Sequence, residues 1–279
     1  MIKKIYLLAI FITVLSFLVF FGKQPPPATK PVLLDLTQIT EKPPIQNEFL
    51  LLLNERNSKV KNIVYPDIRI AVEGFNLSSK LFYEKDRRFR MMNWSIFGKE
   101  TDVGSNDEYF WFWSKRMKPP AIYYAKHEDL YKTRLRTPFH PVWMMEIIGI
   151  NTVDIQSSLI FKHGNDLAVI QKKKNVIGQP ITRIYLVDPR KCAFLGHYIY
   201  DKNGKLLVSA EINDFYEVAG YYLPKTISIN WFEENIAIKW DMDRPQINTV
   251  ISEINWACDL PHKERIDLNG YIPKSAPVF

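Results

Sequence analysis

The chain is poor in the residue patterns that carry chemistry. It has two cysteines, Cys192 and Cys258. They either pair across neighbouring strands in an oxidising compartment or stay as two buried thiols, and spacing alone supports both readings. Of the five histidines, none stands at helical or hairpin ligand spacing from another or from a cysteine, and His127-Glu128-Asp129 lacks the second histidine of a zinc metalloprotease helix. There is no Gly-x-Ser-x-Gly elbow, phosphate loop or dinucleotide fingerprint. The acid-rich run from Asp102 to Glu108 puts Gly104 where a calcium loop needs a ligand, so it reads as a turn. Glu233-Glu234 and the pair Asp241 and Asp243 sit at expected turns, where solvation accounts for them. No catalytic residue, metal site or cofactor is expected.

Charge is equally uninformative. The chain has 37 basic and 30 acidic residues; the first 21 residues hold two of the bases and no acid, which leaves a net of +5 for the rest. Lys172-Lys173-Lys174 is the one basic run and reads as a solvated turn, so nucleic acid is not an expected partner.

What the chain has in excess is apolar surface. Of its 279 residues 47% are hydrophobic and 14% aromatic, enough for one large domain and too much for bulk disorder. The excess peaks in the stretch from Arg87 to Lys115, above all in Tyr109-Phe110-Trp111-Phe112-Trp113. Successive residues of a strand point to opposite faces, so this strand is apolar on both and needs two covers. One cover is protein core. The other is a second layer or a hydrophobic ligand.

Met1-Ile2-Lys3-Lys4 and the apolar run Ile5 to Phe21 form a basic region feeding a hydrophobic segment at the lower edge of bilayer-spanning length. Residues 1–21 thus read as a signal or anchor that exports the rest of the chain. No small residues stand at signal-peptidase spacing near Gly22, and no cysteine is there to be lipidated. An uncleaved anchor in the inner membrane with Lys3 and Lys4 inside is the preferred expectation, and a soluble periplasmic product after cleavage the alternative. Residues 22–46, with Pro25-Pro26-Pro27 and Pro43-Pro44, read as a linker. Residues 47–279 read as a single domain, with no repeat or composition shift to divide it.

That domain opens with a helix from Asn47 as cap through Phe49-Leu50-Leu51-Leu52-Leu53-Asn54 to Val60 and Ile63. Alternating strands come next around Ile68 to Val72, Leu77 to Tyr83, Phe89 and Met91, Glu108 to Trp113, and Ala121 to Tyr124. A second helix interrupts them after Thr137-Pro138-Phe139-His140, running from Pro141 to Gly149. It has one polar side chain across its interior and is too short to span a membrane, so it should plug into the domain. Strands resume at Leu159 and continue through Ile181 to Val187, Phe194 to Tyr200, Leu206 to Ile212, Tyr221 to Trp231, Ile236 to Met242 and Val250 to Cys258. Asp201-Lys202-Asn203-Gly204 is a hairpin turn with glycine at the positive-φ position.

These elements predict a mainly β, α+β fold: a curved antiparallel sheet capped by two helices. If the sheet curls, its concave face gathers one residue in two from each strand: Phe89, Met91, Trp111, Trp113, Tyr185, Tyr198, Ile227, Ile229, Trp231, Ile238 and Trp240. The enclosed space is then filled by side chains or by a ligand. The short helix, through Trp143, Met144, Ile147 and Ile148, is the natural removable cover, and methionine's flexibility suits that role.

In order along the chain, the first helix, Lys85-Asp86-Arg87-Arg88-Phe89-Arg90, Gly104-Ser-Asn-Asp-Glu-Tyr-Phe-Trp-Phe112, the apolar helix after Thr137-Pro138-Phe139, Asp201-Lys-Asn-Gly204 and Leu223-Pro224-Lys-Thr-Ile-Ser-Ile229 resemble the outer-membrane lipoprotein carrier family, LolA and its receptor LolB. The resemblance spans about residues 47 to 260 as spaced short motifs. It departs from the carriers at Asp86, where they have proline, and at Lys85, where they have arginine. It implies an unclosed β half-barrel with capping helices that binds lipid or lipoprotein acyl chains, in transport or sorting towards the outer membrane with other envelope transport proteins as possible partners. The competing expectation is a non-enzymatic envelope module with a dry aromatic core that recognises protein or glycan.

Overall fold

The computed structural model describes residues 34, 45, 47–72, 74–85, 88–132, 141–175, 178–232, 235–258 and 264–268. The expected anchor, nearly all of the linker, Asp86-Arg87, Glu233-Glu234 and Thr137 to His140 lie outside them. Among the described residues no helix is long and apolar enough to cross a membrane.

The first helix, α1, spans Glu48–Ser58. It is shorter than expected: Val60 lies beyond its end and Ile63 belongs to the first strand, because the β-branched run from Asn62 onward pairs as sheet. Asn47 makes no side-chain cap; its carbonyl instead accepts from the Leu51 amide. Leu50 and Leu53 are buried while Leu51 and Leu52 face out. Both oxygen and nitrogen of the Asn54 amide bind the backbone of Val153, at 2.8 and 2.7 Å, which ties α1 to the approach to the seventh strand.

Among the described residues fifteen strands form one sheet. The first group is β1 Asn62–Val72, β2 Phe75–Glu84, β3 Arg88–Ser95, β4 Gly98–Ser105, β5 Tyr109–Ser114 and β6 Ala121–Lys126. After a 3-10 turn at His127–Lys132 and a helix α2 at Pro141–Glu146 come β7 Ser158–His163, β8 Asp166–Lys174, β9 Pro180–Asp188, β10 Ala193–Asp201, β11 Leu206–Val218, β12 Tyr221–Trp231 and β13 Ile236–Met242. Two short strands, β14 Gln246–Ile247 and β15 Glu264–Asp267, complete the sheet.

Each group is an antiparallel meander, and the two join where β1 pairs with β13, with Ile70 opposite Trp240. β14 also pairs with β1, and β15 adds to β6 in parallel. Pro66 cannot donate to the ladder, and the β1–β2 register shifts there, between Tyr65 and Ile68. β7 and β15 are the sheet's two edges; the sheet curves without closing, as an unclosed half-barrel. The connection from β6 to β7 carries the chain from one end of this sheet to the other. Helix α2 rides on that crossover.

Other expected features differ as well: Lys172 to Lys174 belong to β8 and Asp241 to β13, not to turns. Asp102 to Ser105 is strand, not turn, because Asp102 pairs there with the buried Arg90 and with Lys99; only residues 106–108 turn, with Asn106 Oδ1 accepting from the Glu108 and Tyr109 amides. Val250 to Cys258 is not a strand. It crosses the outer face through a 3-10 turn at Glu253–Trp256, held by Arg90 donating to the carbonyls of Ile254 and Asn255 and by Asn106 donating to that of Trp256.

Candidate functional site

Residues paired directly across an antiparallel ladder share a face, so the registers assign every strand residue to one side. The chain Tyr83, Phe89, Ser105, Phe110 marks the inner face of the first meander. The chain Ile238, Ile229, Ala210, His197, Tyr185 marks it in the second. Both helices pack on this side: Leu50 and Leu53 of α1 join a cluster with Val169, Tyr185, Val187 and Phe194, and Trp143 of α2 joins the main core.

Of the residues expected on the concave face, Phe89, Met91, Ile227, Ile229, Trp231, Ile238 and Trp240 share one buried core, and Tyr185 sits in the adjoining cluster beneath α1. Three do not join them. Trp111 and Trp113 lie opposite Gly104 and Asp102, and Tyr198 opposite Ile184 and Ser209, all on the outer face. In β5 the inward residues are Phe110 and Phe112. A strand apolar on both sides gives no signal for which side faces in.

Trp111 is instead part of a buried polar knot. Arg90 donates to both carboxylate oxygens of Asp102, at 3.1 and 2.8 Å, Lys99 adds a second cation, and the Trp111 indole N–H donates to Asp102 Oδ1 at 3.2 Å. Burial alone would raise the Asp102 pKa, but Arg90 and Lys99 outweigh it and hold the carboxyl below its ordinary value. Cys258 packs beside Trp111, its thiol pushed up to about 12, chiefly by burial. It and Cys192 are free thiols.

Helix α2 is shorter than the expected Pro141 to Gly149. After Glu146 the chain tightens, with the Ile148 amide bonding to Met145 and that of Gly149 to Glu146, and Gly149 takes a φ of +80° that closes the turn. Trp143, Met145, Ile147 and Ile148 are buried in the main core, none more than 8% exposed. The side chain of Met144 lies outside the described residues.

One polar side chain of α2 points into the apolar interior. Glu146 Oε1 accepts from Arg183 of β9 at 2.6 Å, and its Oε2 lies 3.8 Å from His197 Nε2, too far for a hydrogen bond. The imidazole of His197 is sandwiched between Tyr185, at 4.5 Å, and Trp143, at 6.0 Å, and neither ring nitrogen has a hydrogen-bond partner. Burial, reinforced by the Arg183 charge, drives the His197 pKa well below its usual value. Burial also raises that of Glu146, an effect Arg183 only partly offsets. Between Glu146, Ile147, Tyr185, His197 and Ala210 a cavity of about 10 Å³ remains, room for about one water molecule.

Sequence reasoning marks Glu146 only as a lone polar residue and His197 only as a histidine without ligand spacing; it does not single out Arg183. A signal exists. Ile181, Arg183, Tyr185 and Val187 alternate inward along β9, and Arg183 is the one charge in that row. Among the described residues no group of three or more histidines, cysteines or carboxylates could hold a metal ion.

No protein-family model and no curated protein matches the chain. Solved structures do. A DUF1329 family protein from Desulfovibrio piger aligns at a TM-score of 0.54 and 11% identity, over 78% of this chain and 98% of that one. A putative outer membrane lipoprotein-sorting protein domain from Vibrio parahaemolyticus aligns at 0.52 and 10%, over 74% and 95%. The chain shares the fold of these two structures. A LolA superfamily protein from Nitrosomonas europaea is also similar, at a TM-score of 0.49 and 9% identity, over 75% of this chain and 98% of that one. In this half-barrel, α2 stands over the inner face of the sheet, and Glu146 ties it to β9 through Arg183.

Proposed function

We propose that the protein is an exported envelope carrier that shelters acyl chains of lipid or lipoprotein against the inner face of its half-barrel, with α2 as the cover. The observation that carries this reading is a short helix burying Trp143, Met145, Ile147 and Ile148 against a curved apolar sheet while its one buried carboxylate is held to that sheet by a single ion pair. Exposing each methylene of an acyl chain to water costs about 0.8 kcal/mol, so a carrier must keep the chain covered. On this reading α2 seats directly on the floor, leaving only a water-sized cavity, and lipid enters as α2 lifts. Phe89, Met91, Ile229, Trp231, Ile238 and Trp240 form the floor of the site, with Tyr185 at its side. Export and inner-membrane tethering rest on the N-terminal segment alone; fractionation tests them, and a soluble periplasmic product shortened by about twenty residues would rule the tether out.

The same tight packing favours a second reading, an envelope binding module whose core stays dry. Organic extracts of the purified protein, analysed by mass spectrometry, separate the two: the carrier yields lipid and the module does not. Substitution sharpens the test. Ile147→Glu sits between cover and floor and should strongly reduce binding of a fluorescent acyl probe, with a modest loss of stability where water can enter. Trp111→Glu buries a charge on the outer face and should unfold the domain. Absence of probe binding by the native protein would sink the carrier reading.

A further inference from the structure

The cover and the floor are joined by a charge pair, and a purely apolar ligand gives that pair nothing to do. Glu146 belongs to the part that must move, whereas Arg183 belongs to the sheet that stays. When α2 lifts, the guanidinium is left in a cup built of Tyr185, His197 and Ile199 with its carboxylate partner withdrawn. A buried cation left with only the neutral Tyr185 hydroxyl as partner is strongly disfavoured. Its side chain is 16% exposed and that of Glu146 13%, so water relieves little of this in the closed form.

Resting on the carrier reading, we propose that the site takes acyl ligands bearing an anionic head, a carboxylate or a phosphate, and that this head replaces Glu146 on Arg183. Two independent features point to such a group. Arg183 Nε has no hydrogen-bond partner even with Glu146 in place, so half of the edge that grips an oxyanion in two-point fashion stands unused. His197, only 4% exposed, lines the cavity with both ring nitrogens unpartnered, and Glu146 Oε2 beside it is unpartnered as well. The closed structure thus holds polar capacity around a small void that Glu146 fills incompletely. Lys173 adds a further positive charge near that carboxylate. A neutral acyl ester gains the apolar floor and leaves the guanidinium without an anion, so the cover should close over it less readily.

The test compares three probes on the purified full-length protein: a pyrene-labelled fatty acid, its methyl ester and the matching alkyl phosphate. The acid or the phosphate should bind at least about tenfold more tightly than the ester, the yield of one charge-assisted contact, and whichever of the two leads identifies the head. In Arg183→Gln the ratio of anion to ester affinity should fall towards one. Glu146→Gln removes the native competitor and keeps the cation, so the ratio should rise; this variant serves even if Arg183→Gln does not fold. Ester binding as tight as acid and phosphate in the native protein, or a ratio unmoved in both variants that fold, would overturn the charged-head inference and leave the carrier reading standing. If none of the three probes binds, both fall.

Discussion

The indole ring of Trp111 lies over Gly104, its cross-strand partner, so closely that a Cβ on the glycine would stand 2.6 Å from Trp111 Cε2 and 2.7 Å from Cη2. Gly104→Ala therefore cannot be accommodated without moving a fully buried ring that also donates to Asp102. Equilibrium unfolding in urea should show a loss of about 1–3 kcal/mol. A loss below the error of that measurement would mean that the ring has somewhere else to go.

Asp102 should be the costliest polar position of the outer face. Asp102→Asn keeps the shape but strands Arg90, whose side chain is 7% exposed, and breaking such a buried pair costs about 3–5 kcal/mol. The acid limb should change too. Because the carboxyl is held below its ordinary value of 3.8, it contributes stability above that pH, and the contribution is lost as pH falls through the lowered folded-state value. Melting curves from neutral pH to about pH 2 should therefore fall more gently in the variant than in the native protein.

His197 acts in a different window. The unfolded chain takes up its proton near 6.5, while the folded one resists it because burial and Arg183 lower the pKa. Stability should thus fall as pH drops below 6.5, by up to about 1.4 kcal/mol per pH unit from this group. His197→Phe keeps a ring between Tyr185 and Trp143 and has no proton to gain. The variant should lose this slope and be the more stable of the two at pH 5. Glu146 pulls in the opposite sense, since its raised folded-state pKa favours the folded form as pH falls, so the native-minus-variant difference isolates the histidine. Parallel stability profiles would show that His197 is hydrated in solution.

Most strands are legible in the sequence because alternation survives wherever one face is more polar than the other. Phe89 and Met91 alternate with Arg90, and Ile227 and Ile229 with Thr226 and Ser228, and each set lies inside as expected. Tyr109 to Trp113 and Phe194 to Tyr200 are apolar on both faces, so choosing their inward members by size puts Trp111, Trp113 and Tyr198 on the wrong side; only the cross-strand register decides. Asp102 reads as a turn because its partners Arg90 and Lys99 come together only once β3 and β4 pair. The 3-10 strap after Val250 is hidden for a related reason. Its apolar residues alternate like a strand, yet its backbone is satisfied by side chains of Arg90 and Asn106 instead of a neighbouring strand. The Glu146–Arg183–His197 group spans three elements and has no sequence spacing to announce it.

The seam between β1 and β13 sets a timetable for the chain. Each meander pairs neighbours in sequence and can zip up as soon as its own strands exist, but Ile70 must wait for Trp240 before the middle of the sheet is made. Contacts that distant are slow to form. Until they do, β1, eleven residues long, presents one full edge of unpaired amides and carbonyls to other chains. The last part of the sheet to be finished is therefore its centre, and the recovery of folded protein after dilution from denaturant should drop steeply as chain concentration rises.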